Sequence, residues 1–495
     1  MELKLSHYKT LSTAGLNELI YAQHFSSHNH SHFSNFRLLD AINRPQHLFD
    51  HAIEIGLTGF AITDHECLSA HVQIMEIRDK MKAEGKLPEN FTISFGNEAY
   101  LVDELEMNIK YYHWLLMAKN AHGHKLLRIL STQAWDNSYY DRGMERVPLT
   151  KKQVEEIMER ENGKGDLIVT SACLGGELGA NALAIKAIED KEDMSPEDLE
   201  KINYHKQKMV DYVLWNQQVF GKDNFYIELA PNDKDEQRYS NRMLYNLAKS
   251  MDVKVIFATD AHYLTKEDQA IHRAFLNSKD GEREVDDFYS TAYLMSTEEV
   301  WSYMQLDFTA SQFNEMVENL EHIRSQIEEY SLFKEQEIPQ VKVQVPEIMH
   351  PQVDEKWNWI LELSQSELDQ DQHWLRVCLN ELYKRGKWDD ERYFESLNNE
   401  AEVIIKVSER MGQPMSAYYN TARRLIEIMW SDGDSLVGAS RGSALAFVSN
   451  WLLDITQIDP IPYEIPYWRH LSADRPELPK LQLGFQIEPF QGVCA

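Results

Sequence analysis

The chain has 495 residues, 43% of them hydrophobic and 26% charged, and a net charge of −30; this is a globular composition too long for one ordinary core. Such acidity excludes broad coating of a phosphate backbone, but not a small cleft whose bound cations set the local potential. No apolar run reaches the ~20 residues of a membrane span, the N-terminus MELKLSHYKT lacks an apolar signal core, and the scattered Cys67, Cys173, Cys378 and Cys494 suit a reducing cytoplasm better than a disulfide framework.

Residues 1–20 read as an N-terminal extension. From Tyr21 the sequence alternates short β-rich runs with helical stretches. The predicted strands are Tyr21–Ser26, Gly59–Thr63, Phe91–Phe95, Tyr112–Ala118, Leu167–Thr170, Asn224–Leu229 and Lys254–Thr259, several of them continuous apolar runs of the kind buried parallel strands show. Helical patterns such as Arg44–Ile55 and Gln237–Lys249 lie between them. Seven strands with crossovers predict an α/β fold, a βα barrel over 21–290, with a doubly wound sheet as the alternative. Beyond it the chain turns helical and acidic, with predicted helices over Ala310–Tyr330, Trp357–Lys387 and Glu391–Met411. A connector is expected over 291–350, including the extended IPQVKVQVPE (338–347), and a further domain over 351–479.

Chemistry gathers where the predicted strands end. SHNHSHFS (27–34) carries His28, His30 and His32 at alternate positions, and Asp40 follows in LLDA; Thr63-Asp64-His65 follows the second strand and Asn97-Glu98 the third. His113 opens the fourth strand, Cys173 follows the fifth, and the seventh ends in Asp260-Ala261-His262. Barrel enzymes place their chemistry on such a rim. Imidazole, thiolate and carboxylate together suit Zn, Mn or Fe. In extended chain, residues two apart face the same way, so an HxH pair can aim both rings at one ion. About nine ligands exceed the need of one tetrahedral ion, so two or three divalent ions are expected, a set fitted to phosphoester hydrolysis. Each residue also has a bland reading: a lone His is usually a surface or satisfied core side chain, Cys173 alone a small apolar residue, and Asp64 alone a helix cap.

HNHSHFS (28–34), AITDHECL (61–68), GNEAY (96–100), HWLLMAKN (113–120), TSACLGGE (170–177), FYIEL (225–229) and ATDAHYL (258–264) together resemble the polymerase and histidinol-phosphatase (PHP) domain, in the version found at the N-terminus of the bacterial DNA polymerase III alpha subunit. The resemblance implies a distorted (β/α)7 barrel with up to three ions and a metal-dependent phosphoesterase activity that includes 3′–5′ exonuclease proofreading. It implies that His30, His32, Glu98 and Asp260 hold one ion, that Glu98 bridges to a second held by His113 and Cys173, and that Asp40, His65 and His262 hold a third. The register His30/His32 is preferred over His28/His30 because it sets Asp40 nearest the family spacing. Asp64, His65 and Asp260 are the expected catalytic residues, with Asp64 either a ligand or a partner of His65.

Residues 398–460 resemble the first part of the polymerase palm. In that family Gly442 and Ser443 of Ser440-Arg441-Gly442-Ser443 would lie against an incoming triphosphate, where small residues let backbone N–H groups approach phosphate and Arg441 adds a charge-assisted fork. The resemblance stops at 479: the family's alternating acids are replaced by Pro479-Lys480-Leu481-Gln482-Leu483-Gly484-Phe485. The expectation is a mostly helical, incomplete palm that does not polymerise by itself, followed by a foreign tail over 480–495 with no strand for the palm to pair with. Expected partners are DNA, other replication subunits and a separate chain carrying the rest of a polymerase, in the cytoplasm. The other readings are a free-standing phosphatase of a small phosphoester, and a docking module in which metals only brace the barrel.

Overall fold

A computed structural model describes residues 8–13, 16–36, 39–106, 109–141, 144–278, 287–334, 337–433, 435–474 and 485–486. The chain divides into two compact units, Met1–Phe333 and Lys334–Ala495.

The first unit opens with a hairpin, β1 (Tyr8–Thr13) and β2 (Leu16–Tyr21), followed by β3 (Phe25–Ser26), α1 (Pro45–Glu54), β4 (Gly59–Ile62), α2 (Ala70–Ala83), β5 (Thr92–Val102), β6 (Tyr112–Ala118) and α3 (Ala121–Asp136). A small hairpin, β7 (Tyr139–Asp141) and β8 (Met144–Arg146), leads to β9 (Pro148–Thr150), α4 (Lys151–Arg160), β10 (Leu167–Thr170), α5 (Glu177–Glu189) and α6 (Pro196–Phe220). The unit continues with β11 (Phe225–Leu229), α7 (Asp235–Met251), β12 (Lys254–Phe257), α8 (Gln269–Leu276), α9 (Thr297–Met304) and α10 (Ala310–Ser325). Among the described residues one sheet runs β12-β11-β10-β6-β5-β4-β3, with β9 branching from β5. Its strands are buried throughout or nearly so: Leu167–Thr170 and Phe225–Leu229 have no exposed residue. That is why they read as apolar runs rather than alternating ones.

The edge strands β3 and β12 meet just past their C-terminal ends. Asn29 and Ala261 form a parallel bridge, with Ala261 N–H donating to His28 O (3.2 Å) and His30 N–H to Ala261 O (3.0 Å). The barrel is thus closed by the segments that carry the candidate ligands. β6 runs antiparallel to both β5 and β10, which brings the start of β6, and His113 with it, to the rim where the parallel strands end. The first predicted strand, Tyr21–Ser26, is divided: its start finishes the hairpin and only Phe25–Ser26 enters the barrel.

The connector expected from 291 is not a linker at its start. α9 and α10 each begin with a capping box, Ser296 with Glu299 and Thr309 with Gln312. They bury Val300, Trp301, Met304, Phe313, Val317 and Leu320 in the barrel's own core, because both carry an apolar stripe that only the outer wall of the sheet can cover.

The second unit is helical: α11 (Asn358–Ser364), α12 (Asp369–Lys384), α13 (Glu391–Met411), α14 (Ser416–Ser431) and a short α15 (Val448–Leu452) surround Trp374, Tyr393, Leu397, Ile404, Tyr419 and Phe447. The helix predicted over Trp357–Lys387 breaks in two between Ser364 and Asp369. Buried Glu400 accepts the first free N–H groups of α15, from Val448 (2.6 Å) and Ser449 (2.9 Å), as a helix start without a capping side chain requires. Two-residue strands β13 (Leu436–Val437) and β14 (Phe485–Gln486) pair antiparallel. The tail was expected to offer the palm no strand; at these two residues it does, and the rest of 475–495 lies outside the described residues. Among the described residues no helix is long and apolar enough to cross a membrane.

Candidate metal centre

The segment after β3 is pinned from two sides by buried amides. Asn29 donates through Nδ2 to Ser26 O and Ala61 O, and Asn43 donates to His30 O and Ala261 O. This fixes His28 and His30 pointing inward, where their Nε2 atoms lie 3.1 Å apart. His28 Nε2 is 3.2 Å from Asp260 Oδ1 and 3.4 Å from Glu98 Oε2; His30 Nε2 is 3.0 Å and 3.2 Å from the same two oxygens. Four ligands about 2.1 Å from one ion in a tetrahedron lie about 3.4 Å from one another, so this quartet has the spacing of a coordination shell. Glu98 Oε2, Asp260 Oδ1 and Asp40 Oδ2 are buried without a hydrogen bond, although ring nitrogens stand near each. Buried carboxylate oxygens left so are costly unless a cation meets them, and the donor set fits one.

Two further groups adjoin the first. His65 Nδ1 and His113 Nδ1 lie 3.0 Å and 2.9 Å from the two oxygens of Glu98, and Cys173 Sγ lies 3.6 Å from His113 Nδ1. His65 Nε2 and His262 Nε2 lie 3.1 Å and 3.0 Å from Asp40 Oδ2, with His30 close enough to complete a quartet. Glu98, His65 and His30 are each shared between groups, so the three form one continuous centre. Gly175 permits its edge: a Cβ there would stand 3.0 Å from the His113 ring. Three non-glycine residues with positive φ, Glu66, Ala172 and Asp260, adjoin or belong to these groups, placing backbone strain where the ligand segments turn.

The electrostatics follow from charges packed without water. Burial opposes the charged forms of Glu98, Asp40, His65 and His262, but attraction overrides it. Glu98 is held well below the usual carboxylate range by His65, His113 and His28, and Asp40 by His262 and His65. In return Glu98 and Asp40 raise His65 well above the ordinary imidazole range, and Asp40 and Asp260 raise His262 to about 9. Burial, then the charges of Asp260 and Glu98, push the Cys173 thiol well up. A cation would reverse that.

Of the residues picked from sequence, His30, Asp40, His65, Glu98, His113, Asp260 and His262 converge, with Cys173 at the margin. His32 does not. It sits exposed on the 3-10 turn His32–Phe36 with its ring against Phe33 (4.4 Å), and His28 takes the place expected of it. The spacing to Asp40 misled because the turn inserts residues between the HxH pair and the aspartate. Asp64 is not at the ligand atoms either. It accepts from Ser31 N–H (2.6 Å), Ser31 Oγ (2.8 Å) and Ser34 Oγ (2.7 Å), and Ser34 Oγ meets His30 Nδ1 at 3.0 Å, so Asp64 positions the turn and, through it, His30. Glu228 was missed as well. Its Oε1 lies 2.8 Å from His28 Nδ1 and its Oε2 accepts from Thr170 Oγ1 (2.6 Å), an arrangement that orients a ligand imidazole. The signal was present: an acid in the middle of the otherwise uncharged strand FYIEL.

In the second unit Arg441 is exposed, Gly442 has φ 69° at the start of the 3-10 turn Gly442–Ala446, and Ser443 Oγ lies 3.2 Å from His470 Nδ1.

The strand ends of this α/β barrel gather imidazoles and carboxylates, and residues 26–232 match the PHP domain family. Residues 372–491 match the bacterial DNA polymerase III alpha NTPase domain, so the PHP match is followed along the chain by a polymerase III alpha match. The second match runs through 480–491, past the point at which the sequence reading ended the likeness. The chain is 40% identical over 477 residues to a DNA-directed DNA polymerase of Bacillus phage SPbeta, covering 92% of this chain and 36% of that protein. It is 28% identical over 478 residues to the DNA polymerase III subunit alpha of Campylobacter jejuni, covering 93% of this chain and 36% of that one. The chain therefore spans little more than a third of the relatives it matches.

Proposed function

We propose that the first unit is a metal-dependent phosphoesterase that hydrolyses the phosphodiester at a DNA 3′ end. The observation that supports this is the coordination-like spacing of His28, His30, Glu98 and Asp260 beside the two groups that share their members. On this reading those four hold one ion, Glu98, His65, His113 and Cys173 a second, and Asp40, His65 and His262 a third, with Zn, Mn or Fe suited to the mixed donor set. Bound divalent ions supply charge neutralisation of phosphate and activation of water. The chain's own residues build the cleft for that chemistry. Glu228 orients His28, Asp64 orients His30 through Ser34, and Glu98 ties two groups together. His65 and His113 form the open side: their side chains are 11% and 24% exposed, against 0% for His28, His30 and Glu98. Substrate thus approaches from the β5–β6 edge.

The kinship with polymerases supports DNA and replication subunits as partners, and Arg441, Gly442 and Ser443 as contacts to a nucleotide phosphate. Polymerisation is not assigned, since 479–485 contains no carboxylate to hold a catalytic Mg. The test is Mn- or Zn-stimulated release of nucleotides from the 3′ end of single-stranded DNA, run beside a small phosphomonoester. Hydrolysis of the DNA end that Asp260→Asn abolishes is expected. Inertness on DNA across several metals, with metal bound, would leave the centre a structural brace.

A further inference from the structure

The open side of the metal centre carries an aromatic path that the hydrolytic chemistry does not need. The Tyr100 ring lies 5.0 Å from that of His113 and 5.9 Å from that of His65. Tyr111, half-buried just before β6, lies 4.7 Å from Tyr100. Over Tyr111 stands the guanidinium of Arg146, 5.0 Å from the ring centre, donating from Nη1 to the Tyr111 hydroxyl. Arg146 comes from β8, paired opposite Tyr139 in the small hairpin, where Tyr140 is 71% exposed. Rings and a planar cation thus run from the candidate ligands His65 and His113 outward to the surface.

A structural explanation falls short here. Core aromatics are covered by apolar neighbours, whereas Tyr111 and Arg146 are both part-exposed. The net charge of −30 supplies the second half of the argument. A DNA strand is normally held by cations along its backbone, and in this chain 80 acidic side chains outnumber 50 basic ones. A single strand can be held instead by stacking of its bases on aromatic rings and guanidinium planes.

We infer that Tyr111 and Arg146 form a stacking site for the nucleobase beside the phosphodiester presented to the metal centre, an inference that rests on the phosphoesterase reading. It makes the site selective for nucleotide ends over phosphoesters without a base. It also makes binding of the strand depend little on salt.

The test uses the full chain and two 5′-labelled oligothymidylates, one ending in a normal 3′ thymidine and the other in an abasic 3′ deoxyribose. Binding is read by fluorescence anisotropy with Ca2+, and hydrolysis with Mn2+. Wild-type protein is expected to prefer the base-ended strand, with a shallow salt slope. Tyr111→Ala and Arg146→Ala should each weaken binding of that strand by about 5- to 100-fold, the range of one lost base stack, raising KM far more than they lower kcat. Tyr111→Phe, which keeps the ring, should restore most of the preference and separates stacking from damage to the fold. A base-to-abasic preference absent in wild type, or unchanged in both alanine variants, overturns the inference. Hydrolysis of either strand without a base preference overturns the stacking site alone, and a base preference in binding without hydrolysis of either strand overturns the phosphoesterase reading alone.

Discussion

At the scale of single residues the centre turns on which histidines face inward. His28 and His30 share their oxygen neighbours, while His32 stands in solvent. His28→Ala should therefore lose at least one ion per chain by elemental analysis and more than about 100-fold in Mn-stimulated hydrolysis, exceeding the loss typical of an outer partner. His32→Ala should change neither. Loss in His32→Ala but not in His28→Ala would return the register to His30/His32. The same groups set a pH dependence. In the ion-free protein His262 is raised to about 9 and His65 is raised too, so the ion pairs they make with Asp40 stabilise the fold below the ordinary imidazole range and lose that effect as pH climbs through about 9. An ion must displace those protons. Metal affinity should hence rise with pH from 6 toward 9, and calorimetry in two buffers should register proton release on binding. A pH-independent affinity with no release would mean that the imidazoles are neutral before the ion arrives.

At the scale of elements, the ligands depend on strands that approach unusually closely. Gly96, two residues before Glu98 on β5, shows this: a Cβ there would stand 2.4 Å from Leu116 O on β6 and 2.8 Å from Thr63 Cγ2 beside β4. The first of these neighbours is backbone and cannot rotate away. Gly96→Ala must push β6 off β5, and with it His113 away from Glu98. Overpacking of this kind costs about 1–3 kcal/mol or more, so a fall in the denaturant midpoint is expected together with loss of an ion. Wild-type stability and metal content in Gly96→Ala would show that the strands have slack the geometry does not suggest. The closing bridge between Asn29 and Ala261 has the same logic: the barrel is sealed by the segments that carry the candidate ligands.

For the whole molecule, the division at 333/334 gives each unit its own core, the first including α9 and α10. Residues 1–333 expressed alone should fold cooperatively and keep the full metal content of the 495-residue chain. A fragment ending at 290, lacking α9 and α10, should expose the outer wall of the barrel and aggregate. If both fragments behave alike in thermal melts and metal analysis, the two helices are dispensable and the boundary lies earlier.

Sequence by itself determined the barrel and most of its centre. Apolar runs at regular spacing marked the strands because a strand buried on both faces has no polar side to show, and ligands following those runs marked the rim. It also marked α13 at its full extent, Glu391–Met411. Tertiary structure alone decided the rest. Which two of three alternate histidines face Glu98 and Asp260 depended on a 3-10 turn and on the buried amides of Asn29 and Asn43. The role of Asp64 depended on two serine hydroxyls that claim its oxygens, and Glu228 became a partner of His28 only when β11 and β3 entered the same barrel. Those outcomes rest on contacts between residues up to 218 positions apart, and local pattern carries no information about which distant group will satisfy a buried polar atom.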